Sequence, residues 1–399
     1  MKKQLYFLFL VFSLISSKLM AFDIKAENED GVMLYYKYIN DGKELEVTRN
    51  IYAPKYSGTI KIPESVTYMN ATMNVTSIGK YAFHENPNLH SVLMPNGLNR
   101  IGENAFYGCS GLVSLNIPDN VEFIGEYAFY GCSGLLSITI GDSVRRIEQN
   151  AFERCSNLVE ISIGNSVKSI ESGAFQNCFS LKSVSIGNSV RYIGLFAFSG
   201  CKSLSSLVWG NNVTYIDAYA FEDCTSLSSI ELPNTVTHIG DYAFYGCSGL
   251  KSIKIPNSVT TIDNYSFRGC TGLTSINIPS SVKHLGGSAF YSCSNLKEIT
   301  IPSSVAYIGS NPFKGTAWYD NLQDGMIYKD NVFLGYKGEK PKNDITIQEG
   351  TRLIAGHALN DCELITSVSI PNTVISIGEF AFYNCKKLES IVIPNSVTK

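Results

Sequence analysis

Charge is what this sequence has little of. Only 17% of its 399 residues are Asp, Glu, Lys or Arg, against about 25% in an ordinary soluble domain, and Ser, Asn, Thr and Gly stand in their place. The 32 basic and 35 acidic residues leave a formal net charge of −3. There is no basic patch of the kind that nucleic-acid binding requires, so nucleic acid is excluded as a partner. Catalytic motifs are missing too. No Ser lies in a nucleophile elbow, and neither H-E-x-x-H nor a phosphate loop occurs. The five histidines, His84, His90, His238, His284 and His357, are scattered, and only His238 and His284 share a register. No enzyme activity, cofactor or metal is expected.

Long hydrophobic runs are also lacking. The apolar run at 5–15 is too short for a membrane span of about 20 residues. It follows Lys2 and Lys3 and leads through a short polar region to Leu19, Met20 and Ala21. Residues 1–21 therefore read as a signal peptide cleaved after about Ala21, with an uncleaved anchor as the alternative. Cleavage would remove Lys2, Lys3 and Lys18 and no acid, taking the net charge from −3 to −6. Cys109 is the first cysteine, which excludes an acylated N-terminal cysteine as a lipid anchor.

What is present is repetition, and an internal repeat decides the fold before any other signal. The segment at 239–261, IGDYAFYGCSGLKSIKIPNSVTT, is one copy of a unit that recurs every 23 residues. Ten copies occupy 78–307, opening at Ile78, Ile101, Ile124, Ile147, Ile170, Ile193, Ile216, Ile239, Ile262 and Leu285. Two more, at 354–399, open at Ile354 and Ile377. The intervening 308–353 is an irregular segment of 46 residues, two periods long. There, Met326, Ile327 and Tyr328 face Val332, Phe333 and Leu334 across Lys329-Asp330-Asn331, which predicts a projecting hairpin. Residues 22–77 fall outside the repeat. Their aromatic and β-branched stretches at 31–40 and 44–52 flank Asn40-Asp41-Gly42, a hairpin signal, and they are expected to form a β-rich N-terminal cap. No cap is evident after the last repeat, so its apolar row and strand edge are expected to favour end-to-end self-association or a continuation of the chain.

Within a copy, Ile253-Lys254-Ile255 alternates like a half-buried strand, while Ile239, Ala243, Phe244 and Cys247 are spaced like one face of a helical or 3-10 turn. Eight side chains point inward: these four with Leu250, Ile253, Ile255 and Val259. A lone repeat cannot bury enough to order itself and needs its neighbours. The run Leu112-Val113-Ser114-Leu115-Asn116-Ile117-Pro118-Asp119-Asn120 fits the pattern L-x-x-L-x-L-x-x-N, and the full unit, as in Ile124-Gly125-Glu126-Tyr127-Ala128-Phe129-Tyr130-Gly131-Cys132, resembles the BspA-like subclass of leucine-rich repeats. The likeness covers 60–399, including Gly315-Thr316-Ala317-Trp318 and Tyr336-Lys337-Gly338. It implies an α/β-type repeat solenoid: a curved, right-handed leucine-rich-repeat stack with one parallel β-sheet on the concave side and short irregular or 3-10 segments on the convex side. It also implies an exported or surface protein of a host-associated anaerobe, acting as an adhesin.

Candidate sites follow from the outward positions. All eleven cysteines (Cys109, Cys132, Cys155, Cys178, Cys201, Cys224, Cys247, Cys270, Cys293, Cys362 and Cys385) share one register, which Asn86 and Thr316 fill elsewhere. An odd count on an inward face favours structural thiols over disulfides. Twelve phenylalanines from Phe83 to Phe382, with Leu359, form a core spine. The glycine after the opening Ile, as at Gly102, Gly125 and Gly240, looks like a left-handed backbone position, but Glu148, Glu171, Asp217 and Asp263 replace it, so positive φ is not expected to be obligatory there. The candidate concave face is Ser114, Asn116, Ser137, Thr139, Glu160, Ser162, Ser183, Ser185, Ser206, Val208, Ser229, Glu231, Ser252, Lys254, Ser275, Asn277, Glu298 and Thr300. It is hydroxyl-rich and has no aromatic anchor, and a merely solvated sheet face is its other reading. A second candidate is an aromatic flank of Tyr107, Tyr130, Tyr192, Tyr215, Tyr245, Tyr291 and Tyr307, suited to adaptable protein or sugar contacts.

The function expected is that of a non-enzymatic, adhesin-like binding protein located outside the cell, on its surface or in the periplasm. Its partner would be an extracellular-matrix, plasma or bacterial surface protein. A glycan-binding protein, or a structural envelope component without a specific ligand, is the alternative.

Overall fold

A computed structural model describes residues 22–399; the signal peptide expected at 1–21 lies outside the described residues. The chain divides into two compact units, with the boundary after Gly164.

In the first unit, β1 (Ile24–Glu27), β2 (Met33–Ile39) and β3 (Glu44–Thr48) run antiparallel. The turn between β2 and β3 is Asn40–Gly42, whose three residues all have positive φ, which is the turn chemistry that Asn-Asp-Gly supplies. β3 then pairs in parallel with Ala71–Ile78, which hands on to Arg100–Ile101, Phe123–Ile124 and Arg146–Ile147. This row, one two-residue strand per turn ending on the opening isoleucine, is the isoleucine ladder. A second row joins Gly58–Lys61, Leu89–Leu93, Ser114–Leu115, Ser137–Ile140 and Glu160–Ile163, also in parallel. It carries the outward serines and is the serine ladder.

The second unit repeats both rows. Its isoleucine ladder runs from Ser169–Ile170 through Tyr192–Ile193, Tyr215–Ile216, His238–Ile239, Thr261–Ile262 and His284–Leu285 to Tyr307–Ile308. Its serine ladder comprises four pairs: Ser183–Ser185 with Ser206–Val208, Ser229–Glu231 with Ser252–Lys254, Ser275–Asn277 with Glu298–Thr300, and, beyond the irregular hairpin, Ile345–Thr346 with Val368–Ser369. Each turn of the β-solenoid thus carries two parallel strands where the sequence pattern shows only the serine one. The second was hidden because two residues are too few to display an alternation.

The segment between isoleucine and serine strands is a run of tight turns without continuous helix. Alternate amides bond to the following turn, Tyr242 N–H to Asn264 O at 2.9 Å and Phe244 N–H to Ser266 O at 2.7 Å, while those between them close i→i−3 turns of the 3-10 type, Ala243 N–H to Gly240 O at 3.2 Å and Tyr245 N–H to Tyr242 O at 2.9 Å. Amides committed between turns are not available for i→i−4 bonds within one. Among the described residues, right-handed helix is confined to one turn of α-helix, Ala317–Asp320, capped by Thr316, since the positive φ of Asn40–Gly42 makes that segment a hairpin turn.

The core is a set of side-chain columns. The eight inward positions of the 239–261 copy are all buried. Phe83, Phe106, Phe129 and Phe152 stack at 5.0–5.1 Å in the first unit, within 8° of parallel. In the second, Phe175, Phe198, Phe221, Phe244, Phe267, Phe290 and Phe313 stack at 5.3–5.7 Å. The glycine column is not left-handed: Gly102, Gly125 and Gly240 are absent from the positive-φ residues. A Cβ at Gly125 would lie 2.6 Å from Glu103 N, so close approach to the preceding turn is what glycine provides there. Positive φ falls two residues later, at Asn104, Tyr127 and Asn150 in the first unit and Phe196, Tyr219, Tyr242 and Tyr265 in the second.

The irregular segment forms its hairpin, Gly325–Lys329 against Val332–Lys337, but the hairpin does not project. Val332 and Phe333 are fully buried and pair in parallel with Leu353 and Ile354. The second arm therefore takes the place of an isoleucine strand, which is how two periods of irregular sequence keep phase.

Candidate functional site

The cysteine column is structural. Its thiols donate to phenylalanine carbonyls 26 residues back: Cys109 to Phe83 O at 3.0 Å, Cys132 to Phe106 O at 3.2 Å and Cys247 to Phe221 O at 3.1 Å. Asn86 and Thr316 replace the thiol with a donor to the carbonyl of Phe83 and Phe313 in their own turns, both at 2.7 Å. Burial pushes the thiols of Cys155, Cys201 and Cys247 up to about 12, the environment of an inert thiol.

The serine-ladder residues all point outward. In the first unit Ser114, Asn116, Ser137, Thr139, Glu160 and Ser162 are exposed. In the second, Ser185, Ser206, Val208, Ser229, Glu231, Ser252, Lys254, Ser275, Asn277, Glu298 and Thr300 are exposed, and Ser183 is half-buried. Glu231 and Lys254 pair with each other across adjacent strands. The face is flat and polar and carries no ring.

The tyrosine flank does not form one surface. It separates into two registers, and the structure adds a third. Tyr107 and Tyr130, seven residues into their turns, stack at 4.6 Å and 6° in the first unit. Tyr245 and Tyr291 hold the same register in the second, with Arg268 between them. Tyr192, Tyr215 and Tyr307 precede an opening isoleucine and belong to the isoleucine ladder.

The third register was missed in the sequence. Phe196, Tyr219, Tyr242 and Tyr265 stack in series at 4.7, 4.6 and 4.5 Å. All four are half-buried and have φ between 56° and 60°. A bulky residue at positive φ costs roughly 1 kcal/mol, so four in consecutive turns need a compensating contact, and the stack supplies one. The two registers meet: Tyr242 and Tyr245 are in edge contact at 5.7 Å, and the Arg268 guanidinium lies 5.9, 5.6 and 5.0 Å from the rings of Tyr245, Tyr265 and Tyr291. The sequence signal was a repeated aromatic at the fourth position of the unit.

The isoleucine ladder has its own aromatic and acidic cluster. Tyr192 donates its hydroxyl to Asp217, and burial together with that carboxylate raises the phenol's pKa. Asp263, in the same register as Asp217, places Oδ2 2.9 Å from His238 Nε2 and Oδ1 4.0 Å from His284 Nε2. Burial lowers the pKa of His284 against the opposing pull of Asp263. Among the described residues no group of three or more such ligands is placed to hold a metal ion.

At the irregular segment a polar cavity of about 180 Å³ is lined by residues that include Lys314, Tyr319, Tyr336, Lys340, His357 and Asn360. It is smaller than the roughly 300–1,000 Å³ of usual ligand pockets. His357 is held by a 2.5 Å hydrogen bond between its Nδ1 and Ser310 Oγ, and Lys340 donates to Asn360 O at 2.8 Å. Among the described residues no helix is long and apolar enough to cross a membrane.

The family to which the chain belongs is shown by a sequence model of a repeat region. The model of the BspA-type leucine-rich-repeat region matches residues 76–205, 191–318 and 335–399. Among solved structures, a leucine-rich-repeat protein from Bacteroides ovatus is 29% identical over 71% of this chain and 90% of its own, with a TM-score of 0.48. A leucine-rich cell-surface protein from Faecalibacterium prausnitzii is 28% identical over 92% of this chain and 94% of its own, also with a TM-score of 0.48. No curated protein gives a significant match. With most of its length matched by that model, the chain belongs to the BspA-type leucine-rich-repeat family.

Proposed function

We propose that this protein is a non-enzymatic, exported binding protein of adhesin type, and that it engages a host or bacterial protein through the aromatic registers of its second unit. The observation that carries the reading is the cluster of Arg268 with Tyr242, Tyr245, Tyr265 and Tyr291. Tyr and Arg are the residues that dominate binding energy at protein interfaces. The serine ladder lacks such anchors, and its one close charge pair, Glu231 with Lys254, is satisfied internally. Export rests on the basic and apolar character of residues 1–21.

A protein partner is favoured over a glycan by how the rings lie. A sugar stacks on an open aromatic face, whereas the faces of Tyr219 and Tyr242 are covered by their neighbours in the series. What remains outward is ring edge, phenolic hydroxyl and guanidinium, which suit hydrogen bonding to a protein surface.

The test is surface-plasmon binding of the exported chain to panels of matrix, plasma and bacterial surface proteins, and to a glycan array. A protein ligand should be found whose affinity falls at least about tenfold in Arg268→Ala and Tyr242→Ala, while Glu231→Ala and Lys254→Ala bind as wild type. Binding confined to glycans, or lost only on changing the serine ladder, would sink the proposal.

A further inference from the structure

The isoleucine ladder of the second unit carries a ring column with one rung missing. Tyr192, Tyr215, His238, Thr261, His284 and Tyr307 stand in register on consecutive strands. Tyr215 and His238 stack at 4.4 Å and 7°, and His284 and Tyr307 at 4.5 Å and 8°. Between the two imidazoles the position is held by Thr261, which has no ring. Parallel strands lie about 4.8 Å apart, so the planes of His238 and His284 are separated by two such steps, about 9–10 Å. That spacing admits one planar group at the distance of the other rungs.

The gap has an anion at its edge and is reachable from solvent. Asp263 contacts His238 and lies beside His284, and the side chains of His238, Asp263 and His284 are 23%, 24% and 38% exposed. Asp241 adds a second negative charge that acts on His284, and the charge of Lys399 opposes it. The same unit shows what fits such a gap. In another outward register Tyr245 and Tyr291 are two turns apart, and the chain fills the rung between them with the guanidinium of Arg268. The gap at Thr261 matches that one in step count and adds a carboxylate.

We propose that the space between His238 and His284 is a binding slot for the guanidinium of an arginine side chain supplied by a protein partner. A guanidinium is flat enough to lie between two rings and gains from both faces. Its N–H fork can donate to Asp263, a charge-assisted contact stronger than a neutral one. A lysine ammonium brings the charge without the plane, and a neutral ring brings the plane without the charge. The slot deepens the reading of a protein partner and rests on it for the arginine's source. Its chemistry is testable without that partner.

The experiment titrates full-length exported protein, selectively labelled at histidine, with N-acetyl-argininamide, N-acetyl-lysinamide and N-acetyl-tyrosinamide at pH 7.5, following the imidazole carbon–proton resonances. Argininamide should give saturable shifts at His238 and His284 with millimolar affinity, and at least about fivefold tighter binding than lysinamide or tyrosinamide. Asp263→Asn should weaken argininamide about tenfold. Thr261→Tyr fills the missing rung and Thr261→Arg fills it as Arg268 fills its own; whichever of the two folds should abolish the response. The absence of saturable shifts at these histidines, an equal or stronger response to lysinamide or tyrosinamide, or binding retained in either Thr261 variant overturns the proposal. A negative protein panel would leave these titrations standing, and failed titrations would leave Arg268 and Tyr242 as the partner surface, so the two readings fail separately.

Discussion

Alkylation of the cysteine column measures how tightly the turns are closed. Cys155, Cys201 and Cys247 are fully buried, and burial pushes their thiols up to about 12. The thiolate is the reacting species. At pH 8 a thiol of pKa about 12 is about one part in 10⁴ thiolate, against about a quarter for an unperturbed thiol near 8.5, so ionisation alone slows the reaction roughly 2,000-fold. Access slows it further, because each Sγ of these three lies 3.1–3.3 Å from a carbonyl in the core. Cys385, by contrast, is only half-buried. Iodoacetamide at pH 8, followed by mass spectrometry of tryptic peptides, should modify Cys385 first and the three interior thiols only through opening of their turns. Raising the pH from 8 to 10 separates the routes. Labelling through opened turns levels off near the ordinary thiol pKa, whereas attack on the closed fold would keep rising about tenfold per unit. Interior labelling within about tenfold of Cys385, or a disulfide between neighbouring copies in a non-reducing digest, would refute the reasoning.

Three further outcomes test the packing. Phe244→Ala removes a fully buried ring stacked at 5.3 Å on Phe221 and 5.4 Å on Phe267, and urea unfolding of residues 22–399 should show a loss of about 3–5 kcal/mol. Phe382→Ala, at a half-buried position of the same column, should cost less than half as much; equal losses would mean that the column does not set the stability. Ser288 sits at φ 53° with no ring to stack, so Ser288→Gly should raise stability by about 0.5–1 kcal/mol in the same assay, and a decrease would count against left-handed strain in this column. Burial lowers the pKa of His284 in the folded chain. Its proton therefore binds the unfolded state preferentially, and stability should be full above the unfolded value of about 6.5 and fall as pH drops below it. Thermal unfolding of His284→Gln between pH 7.5 and 5 should show a shallower decline than wild type, and an unchanged slope would assign the acid sensitivity elsewhere.

The sequence carried the columns but not their neighbours. Period, inward set and phase through the irregular segment all follow from apolar side chains, whose burial is dictated one residue at a time. The isoleucine strand was not apparent, because its pairing partner lies 23 residues away and two residues cannot show a period of two. The acidic replacements showed that the glycine column need not have positive φ, but its actual cause was not legible for a related reason: Gly125 is required by the backbone of the preceding turn, and a glycine selected for close approach looks like one selected for positive φ. Tyr242 at φ 56° runs against local preference and is stabilised by rings in two other copies. The tyrosines at 192, 215, 245 and 291 were visible as a set, but their division into registers appears only when positions are compared down the copies.

That comparison also explains why specificity should lie where a column is interrupted. One turn advances by about 4.8 Å, close to the 4.4–4.7 Å at which the outward rings of Phe196, Tyr219, Tyr242 and Tyr265 and the pairs Tyr215–His238 and His284–Tyr307 stack. Any outward register that repeats an aromatic therefore closes on itself, each ring covering the next and leaving only edges outside. An unbroken column is stable and chemically uniform, and it gives a partner nothing by which to fix its position along the repeats. A substitution in one copy changes that. Arg268 puts a charge at a single height between Tyr245 and Tyr291, and Thr261 opens a single gap between His238 and His284 with Asp263 beside it. Both breaks fall within adjacent copies of the second unit, so the repeat that hides function elsewhere marks, by its exceptions, the height at which a partner would dock.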